Sequence, residues 1–117
     1  MLDDLRQTLT IAEEAGISRN RILLDPGVGF AKSFENNLEC VRRLTELIGA
    51  FDLPVLLGTS RKSMIGLALG LPSDQRVEGT IATSVMAVMA GCMFVRVHDV
   101  QANKRAVRMT EAILYGA

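Results

Sequence analysis

Apolar residues along the chain switch between two periods. Leu2, Leu5, Leu9 and Ala12 recur at helical spacing, with Asp3 and Asp4 in the first turn and Gly16 past the end, so the pattern predicts an amphipathic helix from the first residue onward. Arg21-Ile22-Leu23-Leu24 is a short apolar run closed by Asp25-Pro26-Gly27, which reads as a buried strand and a sharp turn. Leu38, Val41, Leu44 and Ile48 mark a second helix ended near Gly49. Leu53-Pro54-Val55-Leu56-Leu57 reads as a second buried strand, opening into Gly58-Thr59-Ser60-Arg61-Lys62-Ser63; a short helix to about Gly70 and a loop at Leu71-Pro72-Ser73-Asp74 follow. Residues 80–91 read as a helix that is apolar nearly all round (Ile81, Ala82, Val85, Met86, Val88, Met89), a pattern that is buried on several sides or meets another chain. Phe94-Val95-Arg96-Val97-His98-Asp99 reads as a third strand, and Ala102, Ala106, Met109 and Ile113 as the stripe of a last helix.

The order α-βα-βα-βα places the chain in the α/β class, with a parallel sheet and right-handed crossovers. In such sheets functional residues gather beyond the carboxyl ends of the strands. All three expected strands end in polar groups: Asp25, then Lys62 just past Gly58, then Arg96 and His98. Strand alternation puts Arg96 and His98 on one face and Val95 and Val97 on the other. A guanidinium and an imidazole at the end of a buried strand cost desolvation unless something compensates them. Two readings stand at this point: the pair serves an anion, or Arg96 meets a local carboxylate and His98 is a satisfied core histidine. The convergence of three polar strand ends favours one shared site.

Composition narrows the field. A chain of 117 residues forms one domain with a modest core, and 49% hydrophobic content without Trp makes that core mainly aliphatic. Thirteen basic and 13 acidic side chains cancel, so no broad field recruits nucleic acid or an anionic membrane, and an anion site must be local. Cys40 and Cys92 lie far apart and outside any Cys/His cluster, which argues against structural zinc and for a reduced, cytoplasmic setting. Met1-Leu2-Asp3-Asp4 lacks the basic start of a secretory signal, and Arg96 and His98 interrupt the longest apolar stretch before it reaches membrane-spanning length.

The strand ends suggest particular chemistry. Asp25 before Pro-Gly either presents its carboxylate to a planar amino-pyrimidine-like edge or caps its own turn. Gly27-Val28-Gly29 is not a dinucleotide loop, because Lys32 holds the third glycine position. Lys62-Ser63 is not a phosphate loop, because Arg61 and Leu56 stand where that motif needs glycine. Arg61 and Lys62 are either a solvated basic loop or donors at a helix start. His98 has no serine or cysteine nucleophile partner visible in the sequence, which leaves little for triad chemistry. Arg96 and His98 on a departing diphosphate, with Lys62 near the organic part, form a more economical scheme, since such a transfer needs positioning and charge stabilisation above all.

Three segments then carry a family resemblance. Asp25-Pro26-Gly27-Val28-Gly29-Phe30-Ala31-Lys32 with Asn37, Gly58-Thr59-Ser60-Arg61-Lys62-Ser63, and Arg96-Val97-His98-Asp99-Val100 together resemble dihydropteroate synthase, in that family's order and spacing. The resemblance implies a TIM (β/α)8 barrel, of which residues 1–117 would be a single partial domain holding the last three strands, with four or more helices. It implies condensation of 6-hydroxymethyl-7,8-dihydropterin diphosphate with p-aminobenzoate, giving 7,8-dihydropteroate and diphosphate in folate biosynthesis. By motif, Asp25, Lys62 and Arg96 would hold the pterin, and Ser63 and Phe30 the p-aminobenzoate that sulfonamides mimic. Arg96 and His98 would hold the diphosphate. Lys62, Arg96 and His98 are the expected catalytic residues. The family uses Mg²⁺, whose protein ligand is not expected in this chain, and it dimerises through its C-terminal helices. The metal-contacting asparagine, the arginine-bearing loop and further pterin contacts of earlier strands would be missing, so the chain is expected to be a fragment and inactive alone. Other readings are a non-catalytic pterin- or diphosphate-binding or dimerisation module and a methyltetrahydrofolate-binding methyltransferase, in which the cationic motifs would have no diphosphate to hold.

Overall fold

The computed structural model describes residues 2–30 and 32–117; Met1, where the first helix was expected to begin, and Ala31 of the first motif lie outside the described residues. Helix α1 (Leu2–Glu14) starts with acidic residues in its first turn, where they complement the helix dipole, and buries Leu9. A 3₁₀ turn at Arg19–Arg21 leads into the first of the three parallel segments. The expected single helix over residues 38–48 is two helices, α2 (Phe34–Arg42) and α3 (Leu44–Phe51), which share Arg43 as the end of one and the start of the other. Apolar spacing runs through the break, because both pieces bury the same face: Val41, Leu44 and Leu47 all join the core. Asp52 closes α3 in the left-handed conformation, which short polar side chains tolerate.

Strand β1 (Leu56–Leu57) feeds α4 (Ser63–Leu69), which Gly70 ends with a left-handed cap. After a 3₁₀ turn at Ser73–Gln75 come α5 (Val77–Ala90), β2 (Phe94–Val95) and α6 (Val100–Tyr115). The two strands pair in parallel, Leu56 with Phe94 and Leu57 with Val95, and a parallel bridge joins Leu24 to Val55. Three parallel segments in the order 24, 55–57, 94–95, alternating with helices along the chain, form the expected α/β architecture of a partial barrel. The segments are shorter than the runs that signalled them. Leu23 and Phe94 are about half exposed, so the expectation of strands buried on both faces does not hold along their length.

The core is aliphatic as composition implied. Leu24, Val28, Val41, Leu44, Leu47, Val55, Leu57, Met64 and Ile65 form one cluster between the strands and α2 to α4. The two C-terminal helices pack differently. The apolar α5 was expected to be buried on several sides or to meet another chain; the side chains it buries here are Thr80, Thr83, Ser84 and Ala87, at helical spacing, while Met86 and Met89 are exposed. Likewise α6 buries Asn103 and Thr110 and leaves Met109 and Ile113 of the expected stripe in the open. Small and hydrogen-bonding residues let the two helices approach closely: Ser84 Oγ donates to Asn103 Oδ1 at 2.7 Å, and Asn103 Nδ2 donates to the Asp99 carbonyl at 2.9 Å. Among the described residues no helix is long and apolar enough to cross a membrane.

Candidate functional site

The register of the sheet builds the site. Leu56 and Leu57 pair with Phe94 and Val95, and the same 38-residue offset continues past the ladder, setting Gly58 beside Arg96 and Ser60 beside His98. Residues 58, 60 and 62, in the loop that leaves β1, come to the side on which 96 and 98 emerge. They enclose a cavity of about 220 Å³ lined by Gly58, Ser60, Lys62, Arg96, Val97 and His98. A Cβ at 58 would lie 2.8 Å from an Arg96 guanidinium nitrogen, so a side chain there would push the guanidinium out of its place. The guanidinium thus lies against the backbone of the neighbouring strand.

The Asp25 turn flanks the cavity. Asp25 Oδ1 accepts the Gly27 N–H at 2.8 Å, so turn capping is one of its jobs. Its other oxygen lies 3.9 Å from Arg96, so the same carboxylate also faces the cations. Asn37, buried on α2, accepts the Gly29 N–H at 2.9 Å and holds the loop to the helix. Lys32 donates to the Gly27 carbonyl at 3.1 Å. Lys62 reaches across to this loop: its ammonium donates to the Val28 carbonyl and stands 4.7 Å from the centre of the Phe30 ring. Gly29, at φ +90°, has the Lys62 stem where a side chain would be. Burial pushes the Lys62 pKa down, the positive charges of Arg96 and Lys32 push the same way, and Asp25 opposes them. Phe30 is exposed and Ser63 is the exposed first residue of α4.

The loop after β1 is held from behind by α5. Thr83 Oγ1 donates to the Thr80 carbonyl at 2.7 Å, which leaves Thr59 Oγ1 to donate to Thr83 at 2.5 Å. Arg61 takes φ +57°, an uncommon conformation for a side-chain-bearing residue, and Arg76 donates to its carbonyl at 2.8 Å. The Arg61 guanidinium meets Asp99 at 3.3 Å and joins this loop to the start of α6. Arg61 therefore forms an ion pair, whereas Lys62 lines the cavity.

Asp25, Lys62, Arg96 and His98, singled out in the sequence, are brought together. The structure adds a hydrogen-bond partner that the sequence did not show for His98. Ser60 Oγ lies 2.7 Å from His98 Nδ1 and accepts the His98 backbone N–H at 3.0 Å. Sequence separation hid the pair; aligning the two strand ends by their shared polar alternation would have disclosed it. Among the described residues no group of three or more His, Cys, Asp or Glu side chains is placed to hold a metal ion.

Comparison with known proteins identifies the family. The family described as pterin binding enzyme matches residues 1–98. Dihydropteroate synthase of Clostridium beijerinckii is 53% identical over 115 residues, covering 97% of this chain and 42% of that protein. The Bacillus subtilis enzyme is 46% identical, covering 97% of this chain and 40% of its own length. Among solved structures, Yersinia pestis dihydropteroate synthase with a pterin–sulfa conjugate superposes with TM-score 0.92 at 40% identity, covering 98% of this chain and 45% of that one. Clostridium difficile dihydropteroate synthase in the presence of pteroic acid gives TM-score 0.91 at 49% identity, covering 98% and 43%. The chain thus spans about two-fifths of the length of the curated relatives it matches.

Proposed function

The chain belongs to the pterin-binding enzyme family, and we propose that it supplies the pterin- and diphosphate-binding strand ends of a dihydropteroate synthase. One observation carries the reading: Lys62, Arg96 and His98 line one cavity at adjacent parallel strand ends, with Asp25 from the first segment facing Arg96. The substrates would be 6-hydroxymethyl-7,8-dihydropterin diphosphate and p-aminobenzoate, and the products 7,8-dihydropteroate and diphosphate. Asp25 offers a carboxylate, one oxygen of which stays outside its turn, to the amino-substituted edge of the pterin. Lys62, held over the first loop, contacts the pterin beside it. Arg96 and His98 face the diphosphate and stabilise the negative charge that grows as the C–O bond to the pterin methylene breaks; the arylamine nitrogen then forms the new C–N bond and loses a proton. Phe30 packs against the p-aminobenzoate ring and Ser63 receives its carboxylate.

Mg²⁺, which would neutralise the departing diphosphate, finds no cage of side chains among the described residues, so no step assigned to this chain depends on it. The setting we propose is cytoplasmic. A homodimer through the C-terminal helices is supported by exposed Met89 on α5 and by Met109, Ile113 and Tyr115 on α6.

The test is diphosphate release by a protein of the relatives' full length that carries this segment. Release should need both substrates, and Arg96→Ala with Lys62→Ala should lower turnover by about 100-fold or more. Undiminished turnover in that double variant would remove the site assignment. The 117-residue chain by itself should bind inorganic diphosphate without turnover, since it spans 42% of a catalytic relative; robust turnover by purified chain would overturn the expectation that it is an inactive fragment.

A further inference from the structure

We propose that Ser60 is a positioning residue that holds His98 as the Nε2–H tautomer and so keeps a neutral N–H donor available to the cavity. Ser60 is 8% exposed, and its Oγ has two hydrogen-bond neighbours, both within His98: the backbone N–H at 3.0 Å and ring Nδ1 at 2.7 Å. A hydroxyl carries one proton and two lone pairs. The backbone amide only donates, so it occupies one lone pair. Were Nδ1 protonated it would donate as well, and the buried hydroxyl proton would have no acceptor among the described residues, a costly arrangement. With the hydroxyl donating to Nδ1, every group is satisfied and the ring proton sits on Nε2. Nε2 is then the ring nitrogen left for the cavity that His98 lines.

The consequence is electrostatic. A neutral imidazole free to exchange tautomers would present a lone pair to an anion part of the time, whereas the tautomer held by Ser60 presents a donor even when uncharged. Ser60 is not placed as a nucleophile: its oxygen is enclosed by the two bonds to His98, and the nearby Asp99 carboxylate faces Arg61. The tautomer follows from the hydrogen-bond count alone; its value for binding rests on the anion-site reading above.

His98 is the one histidine in the chain, so a single ¹⁵N-labelled ring reports without ambiguity. Long-range ¹H–¹⁵N correlation of the uncharged ring should show a protonated Nε2 and an unprotonated Nδ1. Ser60→Ala should mix the tautomers while amide dispersion stays native, and Ser60→Thr, which restores a hydroxyl, should return the single form. A protonated Nδ1 or mixed tautomers in the unaltered chain would overturn the proposal, whether or not the alanine variant folds; so would a Ser60→Ala ring identical to the parent. Titration with inorganic diphosphate should show binding weakened about 3–10-fold in Ser60→Ala. Equal affinity would remove the functional half of the proposal. A single tautomer in a chain that does not bind diphosphate would overturn the anion-site reading and leave the role of Ser60 intact.

Discussion

The core beneath the strands and the layer between α5 and α6 are both buried, but they are built from opposite materials. Under the strands, Val28, Leu44, Leu47, Val55 and Leu57 exclude water with aliphatic volume alone. On the last two long helices, Thr80, Thr83, Ser84, Asn103 and Thr110 are buried too, but each is hydrogen-bonded: Ser84 bonds Asn103 across the pair, and the threonines donate to carbonyls of their own helices. The aliphatic core fixes where the strands lie. The polar layer fixes how their ends are aimed: Thr83 holds Thr59 in the loop that bears Ser60 and Lys62, and Asn103 holds the Asp99 carbonyl one residue past His98. Aliphatic packing tolerates small adjustments, whereas a hydrogen bond requires one geometry. A site that must set donors around an anion gains more from the second kind of support.

Leu47→Ala should break the first region with the largest effect on stability, about 2–5 kcal/mol, because a fully buried side chain leaves a cavity. Chemical denaturation would read it, and diphosphate affinity of the folded fraction should change little. Asn103→Ala should cost less, about 1–3 kcal/mol, by stranding the Ser84 hydroxyl, while the Asp99 carbonyl loses one of its two donors and keeps the backbone N–H of residue 103. Here the affinity should fall in the protein that remains folded. Equal effects of the two substitutions on affinity would erase the distinction between the regions.

Asp25→Asn should disturb stability least, since an amide oxygen can still accept the Gly27 N–H. Its mark is electrostatic. Asp25 raises the Lys62 pKa against burial, so the variant should titrate Lys62 at lower pH than the parent, as NMR of the Lys62 Nζ-adjacent methylene would show. The sign for stability follows from proton counts. With a folded-state pKa below the unfolded one, the native state binds fewer protons in that window, so the contribution rises as pH rises through the folded value and is complete above the unfolded one. In Asp25→Asn the window should open at lower pH; an unchanged Lys62 titration would show that the two groups are not coupled.

Helix-period and strand-length apolar runs, with their polar stops, were enough to determine the alternating α/β order and to place Asp25, Lys62, Arg96 and His98 at strand ends. These are local properties: the apolar period reflects which face is buried, and a charge that follows a buried run must leave the core. The same reading left open whether the apolar face of α5 is buried or meets another chain, and it did not single out the polar side chains that α5 and α6 bury. Tight helix packing selected Thr80, Thr83, Ser84, Ala87 and Asn103, whose size and hydrogen bonds fit a close contact. Nor could it decide that Asp25 divides its oxygens between a turn and Arg96, or that Ser60 meets His98. Those outcomes depend on the register between segments far apart in the chain, a property of pairing geometry that no single segment carries.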